Sequence, residues 1–125
     1  MESLCCYATT TKDRRKSILL VINTNFICEN KNLNLVIRNN INGDFAVVEK
    51  LEEIEPGAFI NIVWEDKKLM LPYLPRKNVV SFSDRKWNWR YSINKDGSVN
   101  QNNPILYKLL PSGILEEHLC LANET

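Results

Sequence analysis

Short apolar runs separated by turn residues cover most of the chain. The clearest alternation places Leu33, Leu35 and Ile37 on one side of a strand, with Asn34 and Val36 on the other. Runs of this length, rich in β-branched and aromatic residues, predict β-strands rather than helices. The predicted strands are 17–23, 33–37, 45–51, 58–64, 68–71, 79–83, 86–93, 105–110 and 114–120.

Turn residues between the runs predict hairpins. Glu65-Asp66-Lys67, Asp96-Gly97 and Pro111-Ser112-Gly113 each separate two consecutive runs, and Asp-Gly in particular favours a tight hairpin turn. Pro72 and Pro75 predict the end of the strand before them, because proline has no N–H to donate to a strand ladder.

Eight or nine short strands at this spacing predict an all-β domain. We expect a single compact barrel or a two-sheet sandwich of successive hairpins. Residues 47–55 and 114–122 leave open an α+β alternative with one short helix. At 125 residues the chain is one ordinary domain, in which residues 1–16 are a candidate flexible N-terminal arm.

Charge is balanced overall, at +1, but not locally. Residues 44–66 contain seven acids and one base, and residues 67–95 contain eight bases and one acid. One interpretation is that neighbouring hairpins pair through opposite charges. The other is a dipolar surface whose basic half meets an anionic partner.

The aromatic run around residue 89 is the most distinctive stretch. On a strand, Trp87, Trp89 and Tyr91 point to one face, and Lys86 and Arg90 point to the other. Facing inward, the rings anchor the core. Facing outward, they form a possible stacking platform for nucleic-acid bases or an aromatic protein-contact patch.

Residues 72–76 place two prolines around an aromatic residue and end on a cation. We interpret them as a stiff connector between strands, or as an exposed binding loop. Together with the cations that follow, they give the candidate partner-binding residues Tyr73, Arg76, Lys77, Arg85 and Arg90.

The cysteines predict neither a disulfide framework nor a metal site. The four cysteines are Cys5, Cys6, Cys28 and Cys120, and the adjacent Cys5 and Cys6 have poor geometry for bridging each other. Without a recognisable secretion signal we expect reduced thiols in a cytoplasmic protein. His118 and Cys120 share one strand face, but no Cys-x-x-Cys spacing accompanies them, so no metal or other cofactor is expected.

The sequence shows no recognisable catalytic motif. It has no Gly-rich phosphate loop, nucleophile elbow or zinc-protease motif. Glu52-Glu53 and Glu116-Glu117 are adjacent pairs, and neighbouring residues on a strand diverge to opposite faces. We therefore expect a protein that is not an enzyme. No apolar run approaches the roughly 20 residues of a membrane span.

The segment 69–76, Leu-Met-Leu-Pro-Tyr-Leu-Pro-Arg, followed by 81–91, Ser-Phe-Ser-Asp-Arg-Lys-Trp-Asn-Trp-Arg-Tyr, resembles a pattern in small uncharacterised all-β proteins of cyanobacteria and plastids. The resemblance covers about a quarter of the chain and departs from the pattern at Asp84-Arg85. It implies a cytosolic bacterial protein, with a possible link to the photosynthetic machinery, and carries over no functional residue.

Three functional hypotheses follow. The first is a non-enzymatic binding or assembly module that contacts a protein partner, or a second copy of itself, through a basic face containing proline and aromatic residues. The second is a single-stranded nucleic-acid binder that stacks bases on Trp87, Trp89 and Tyr91. The third is a barrel that encloses a small apolar ligand.

Overall fold

Eight antiparallel strands follow one another around a closed barrel in the computed structural model, which describes residues 21–76 and 79–123. Each strand pairs with the next in sequence, and the last pairs with the first. This confirms the predicted all-β class and, of the two predicted architectures, gives the barrel and not the two-sheet sandwich. The strands are β1 (Asn25–Cys28), β2 (Lys31–Arg38), β3 (Phe59–Trp64), β4 (Lys67–Arg76), β5 (Val79–Ser83), β6 (Trp87–Ile93), β7 (Val99–Leu109) and β8 (Leu115–Ala122).

Four tight turns gather at one end of the barrel, which we call the hairpin end. They join β1 to β2, β3 to β4, β5 to β6 and β7 to β8. Glu29, Asn30 and Glu65 have positive φ angles of 52°, 64° and 56°, and Gly113 has 89°. The two-residue loops at 29–30 and 65–66 and the three-residue loop at 111–113 need such angles to match the strand twist. The predicted hairpins at 65–67 and 111–113 are confirmed here.

The prediction that Pro72 and Pro75 end a strand is wrong, because β4 runs through both to Arg76. The Tyr73 amide donates toward β3, to the Ala58 carbonyl at 2.8 Å, and successive N–H groups in a strand point to opposite sides. Pro72 therefore faces the β5 side before β5 pairing begins, and Pro75 faces the β3 side after β3 pairing has ended. Neither proline interrupts a ladder.

The long connection between β2 and β3 replaces the strand predicted at 45–51. It contains isolated bridges and a 3-10 helix at Leu51–Glu53, the only helical segment among the described residues. Val48 is buried there, and Leu51 and Ile54 pack against the core. The connection thus covers the barrel end opposite the hairpin end. Most of the predicted strand 17–23, and the arm 1–16, lie outside the described residues.

The aromatic row of β6 faces the barrel interior. Trp87, Trp89 and Tyr91 are 7%, 0% and 0% exposed, and Trp89 meets Phe26 edge-on with 5.2 Å between ring centroids. Alternation along the strand places all three rings on the side of Phe82 and the other core residues. They are core anchors, and a stacking platform would require exposed ring faces that these residues do not have.

Burial of Tyr91 predicts a loss of stability at high pH. Burial raises the pKa of Tyr91 from 10.0 to about 12, with neighbouring Trp89 acting in the opposite direction. The unfolded chain therefore releases the Tyr91 proton at a lower pH than the folded chain does. The stabilisation of the folded state that depends on this proton is complete below pH 10 and is lost as pH rises through 12. This stabilisation is on the order of 3 kcal/mol.

Urea unfolding across this pH range measures the effect. We expect the unfolding free energy of Tyr91→Phe to fall less steeply with rising pH than that of the wild type. Parallel curves for Tyr91→Phe and the wild type would contradict the assignment.

A disulfide joins the two strands that close the ring. Cys28 of β1 and Cys120 of β8 are register partners with their Cα atoms 4.2 Å apart, and both are buried. The expectation of reduced thiols is therefore wrong for this pair. Sequence alone could not show the pairing, because 92 residues separate the cysteines and only barrel closure makes them neighbours. Cys5 and Cys6 lie outside the described residues.

Among the residues that the structure describes, no helix is long and apolar enough to cross a membrane.

Candidate functional site

A groove of about 160 Å³ lies on the outer surface of β6 and β7, at the hairpin end. Strand alternation turns Asn88, Arg90, Tyr107 and Leu109 outward into it, and the β5–β6 turn forms its end. The lining residues are Ser83, Asp84, Arg85, Lys86, Trp87, Asn88, Arg90, Tyr107, Leu109 and Leu115. The groove therefore combines cations with two aromatic side chains and two leucines.

The groove carries net positive charge. Arg85, Lys86 and Arg90 line it with a single acid, Asp84. The Asp84 carboxylate accepts from the backbone amides of Lys86 and Trp87, at 2.7 and 2.6 Å, and so shapes the turn. The Arg90 guanidinium lies over the Tyr107 ring, 5.1 Å from its centroid. This stacking orients a fork of N–H donors that suits a carboxylate.

Exposed aliphatic side chains continue from the groove across β8 to β1. Leu109 and Leu115 face each other across β7 and β8 and also line the groove. Further along, Leu121 pairs with Ile27 of β1. We call this set the aliphatic strip; its members are 37–64% exposed and are Ile27, Leu109, Ile114, Leu115, Leu119 and Leu121. On β8 these residues flank the exposed Glu117, and a cluster of exposed apolar residues marks an interaction surface more often than isolated ones do.

A family model described as a domain of unknown function, DUF8671, matches residues 36–120. The chain belongs to this family. No curated protein and no solved structure matches the chain significantly. The DUF8671 match begins within β2 and ends within β8, so it includes the whole groove and most of the strip, whereas β1 with Ile27 precedes it.

The DUF8671 barrel brings together only part of the predicted binding set. Arg85 and Arg90 line one groove, as described above. Arg76 ends β4 at the opposite end of β5 from Arg85. Tyr73 points inward, with its ring 5.3 Å from that of Phe82. Lys77 lies outside the described residues. The predicted basic face is therefore divided between the two barrel ends.

Sequence reasoning missed the aliphatic half of the site. Leu115, Leu119 and Leu121 alternate with His118 and Cys120, which are buried. This alternation was the available signal that the leucines face outward. The ambiguity between helix and strand at 114–122 hid it, because a helix would have placed the same residues on different sides.

The acidic segment 44–66 and the basic segment 67–95 pair through β3 and β4, but their opposite charges do not face one another across these two strands. Within 44–66, the acids lie in the β2–β3 connection and in the β3–β4 turn, and β3 itself contains none. Lys67 and Lys68 of β4 therefore oppose Trp64 and Val63. Glu65 instead forms an ion pair with Lys31, at 3.1 Å.

His118 closes the hairpin end from inside. Its ring lies 4.9 Å from that of Trp64. Glu29 contacts Nδ1, and the Glu116 carboxylate lies 2.8 Å from Nε2. The two carboxylates approach different ring nitrogens and do not converge on one point. In the described part of the chain no group of three or more His, Cys, Asp or Glu side chains could hold a metal ion.

Proposed function

We propose that this DUF8671 protein is a non-enzymatic binding or assembly module that contacts a protein partner through the groove and the aliphatic strip. The observation that carries the proposal is their continuity. Leu109 and Leu115 belong to both, so one partner segment can contact the cations and the exposed leucines together.

The chemistry of the surface specifies the partner segment. Arg85 and Arg90 favour a carboxylate, because guanidinium groups bind carboxylates with paired, charge-assisted hydrogen bonds. The leucines on either side favour aliphatic side chains. We therefore expect a segment that presents an acidic residue flanked by aliphatic residues on one face.

The other two hypotheses have less support. Stacking of nucleic-acid bases needs exposed rings, and Trp87, Trp89 and Tyr91 are buried. A ligand chamber needs interior space, and large side chains including Trp89 and Phe26 fill the interior.

The Cys28–Cys120 disulfide also bears on the compartment. A cytoplasmic location was expected from reduced thiols, and a structural disulfide fits an oxidising compartment better.

Site-specific photo-cross-linking tests the proposed surface. A benzophenone amino acid is placed at Leu119 or at Met70, which are 64% and 63% exposed and lie on nearly opposite strands of the ring, β8 and β4. In cells producing the full chain, position 119 is expected to give a defined product whose cross-linked peptide contains an acidic residue beside aliphatic residues. Position 70 is expected to give none.

Reversing the charge of the two groove arginines provides a second test, read out as the cross-linking yield from position 119. Arg85→Glu with Arg90→Glu is expected to reduce the yield from position 119 by about tenfold, since like charges at an interface are strongly unfavourable. Equal amounts of cross-linked product from positions 119 and 70 would rule out the proposed surface. A yield from position 119 that is unchanged by the charge reversal would rule it out as well.

A further inference from the structure

Strand β8 displays the same chemistry that the groove is suited to bind. Leu115, Glu117 and Leu119 all point outward from β8 and are exposed. Glu117 thus presents a carboxylate flanked by two leucines. Its register partner on β7 is Tyr107, the ring on which Arg90 stacks.

This arrangement makes the surface complementary to itself. Arg90 on β6 and Glu117 on β8 are separated by β7 alone, about 10 Å across the sheet. In a two-fold contact each residue pair occurs twice. If Arg90 of one copy meets Glu117 of the other, the reciprocal pair forms as well, and the leucines beside Glu117 on β8 are brought against the partner copy.

The exposed apolar area of the aliphatic strip also matches what a contact between two copies of this chain would need. Six aliphatic residues exposed by 37–64% give an apolar area on the order of 500 Å². A standard interface buries about 800 Å² on each partner, and in homodimers about two-thirds of that is apolar. The strip supplies that apolar share, and the groove and Glu117 supply the polar remainder.

From these observations we infer that the partner is a second copy of this chain, bound in a two-fold symmetric homodimer through the aliphatic strip with reciprocal Arg90–Glu117 pairs. The inference rests on the proposed function, because it assigns an occupant to the same surface.

Sedimentation equilibrium of the full chain tests the inference. The Cys5→Ser, Cys6→Ser background removes intermolecular disulfides through those residues and leaves the Cys28–Cys120 pair. We expect a species of twice the 14.5 kDa chain mass. Leu119→Lys is expected to give monomer, and Met70→Lys, at a residue of matched exposure, is expected to remain dimeric. Circular dichroism and thermal unfolding check that each variant is folded.

A charge swap tests the specific pairing. Arg90→Glu alone and Glu117→Arg alone are each expected to raise the dimer dissociation constant by about tenfold or more, because each places like charges opposite one another. The double variant is expected to restore it to within about threefold. Additive weakening in the double variant would overturn the Arg90–Glu117 pairing.

The outcomes separate this inference from the proposed function. A monomeric wild type that still gives a product with a different protein from position 119 overturns the homodimer and leaves the proposed function standing. A monomeric wild type with no product specific to position 119 overturns both.

Discussion

Replacing both Cys28 and Cys120 by alanine is expected to lower the free energy of unfolding by about 4 to 5 kcal/mol. The bond spans 92 residues, and closing a loop of that length removes much of the conformational entropy of the unfolded chain. It also joins the two strands whose pairing closes the barrel. Urea unfolding of the oxidised protein and of the double variant measures the difference.

Cys5→Ser with Cys6→Ser is the control for this disulfide prediction. Unfolded without reductant, that variant is expected to show no thiol that reacts with Ellman's reagent, and after reduction it is expected to show the two thiols of Cys28 and Cys120. Two reactive thiols before reduction, or unchanged stability of the Cys28→Ala, Cys120→Ala variant, would contradict the structural role of the bond.

Truncation of the central aromatic residue, Trp89→Ala, is expected to cost about 3 to 5 kcal/mol. Trp89 is fully buried and meets the Phe26 and Tyr91 rings edge-on, at 5.2 and 5.9 Å. Its removal leaves a large cavity. The hydrogen-bonded strands of a closed barrel cannot easily move inward to fill that cavity, so most of its cost remains.

Met70→Ala provides a surface comparison for the Trp89 prediction. Its side chain is 63% exposed, and we expect a change within about 0.5 kcal/mol. Denaturant unfolding followed by far-ultraviolet circular dichroism measures both variants. A loss below about 1 kcal/mol for Trp89→Ala would place the ring outside the core.

The strand order of this fold was accessible from sequence because most of its signals are local. Asp96-Gly97 and Pro111-Ser112-Gly113 each specify a turn without reference to the rest of the chain. Strand β1 was missed because its four residues, Asn25–Cys28, contain too little alternation to stand out. Its position depends instead on pairing with β8, a contact between sequence-distant segments.

The candidate site was harder to predict from the sequence, because it too depends on contacts between segments that are distant in sequence. Arg85 and Arg90 belong to one hairpin arm, so their proximity follows from β6 and its turn. Their link to Leu115 depends on the β7–β8 register, which no composition or spacing rule supplies. Arg76 was grouped with them by closeness in sequence, although β5 separates it from Arg85 in space.

The pairing of the first strand with the last also sets the order in which parts of the barrel can form during synthesis. Hairpins from β2 to β7 need only segments adjacent in sequence, so each can form soon after it leaves the ribosome. Strand β1 has β8 as its second neighbour, and Cys28 must wait for Cys120, which comes 92 residues later. Ring closure, and with it the disulfide, therefore follows synthesis of β8.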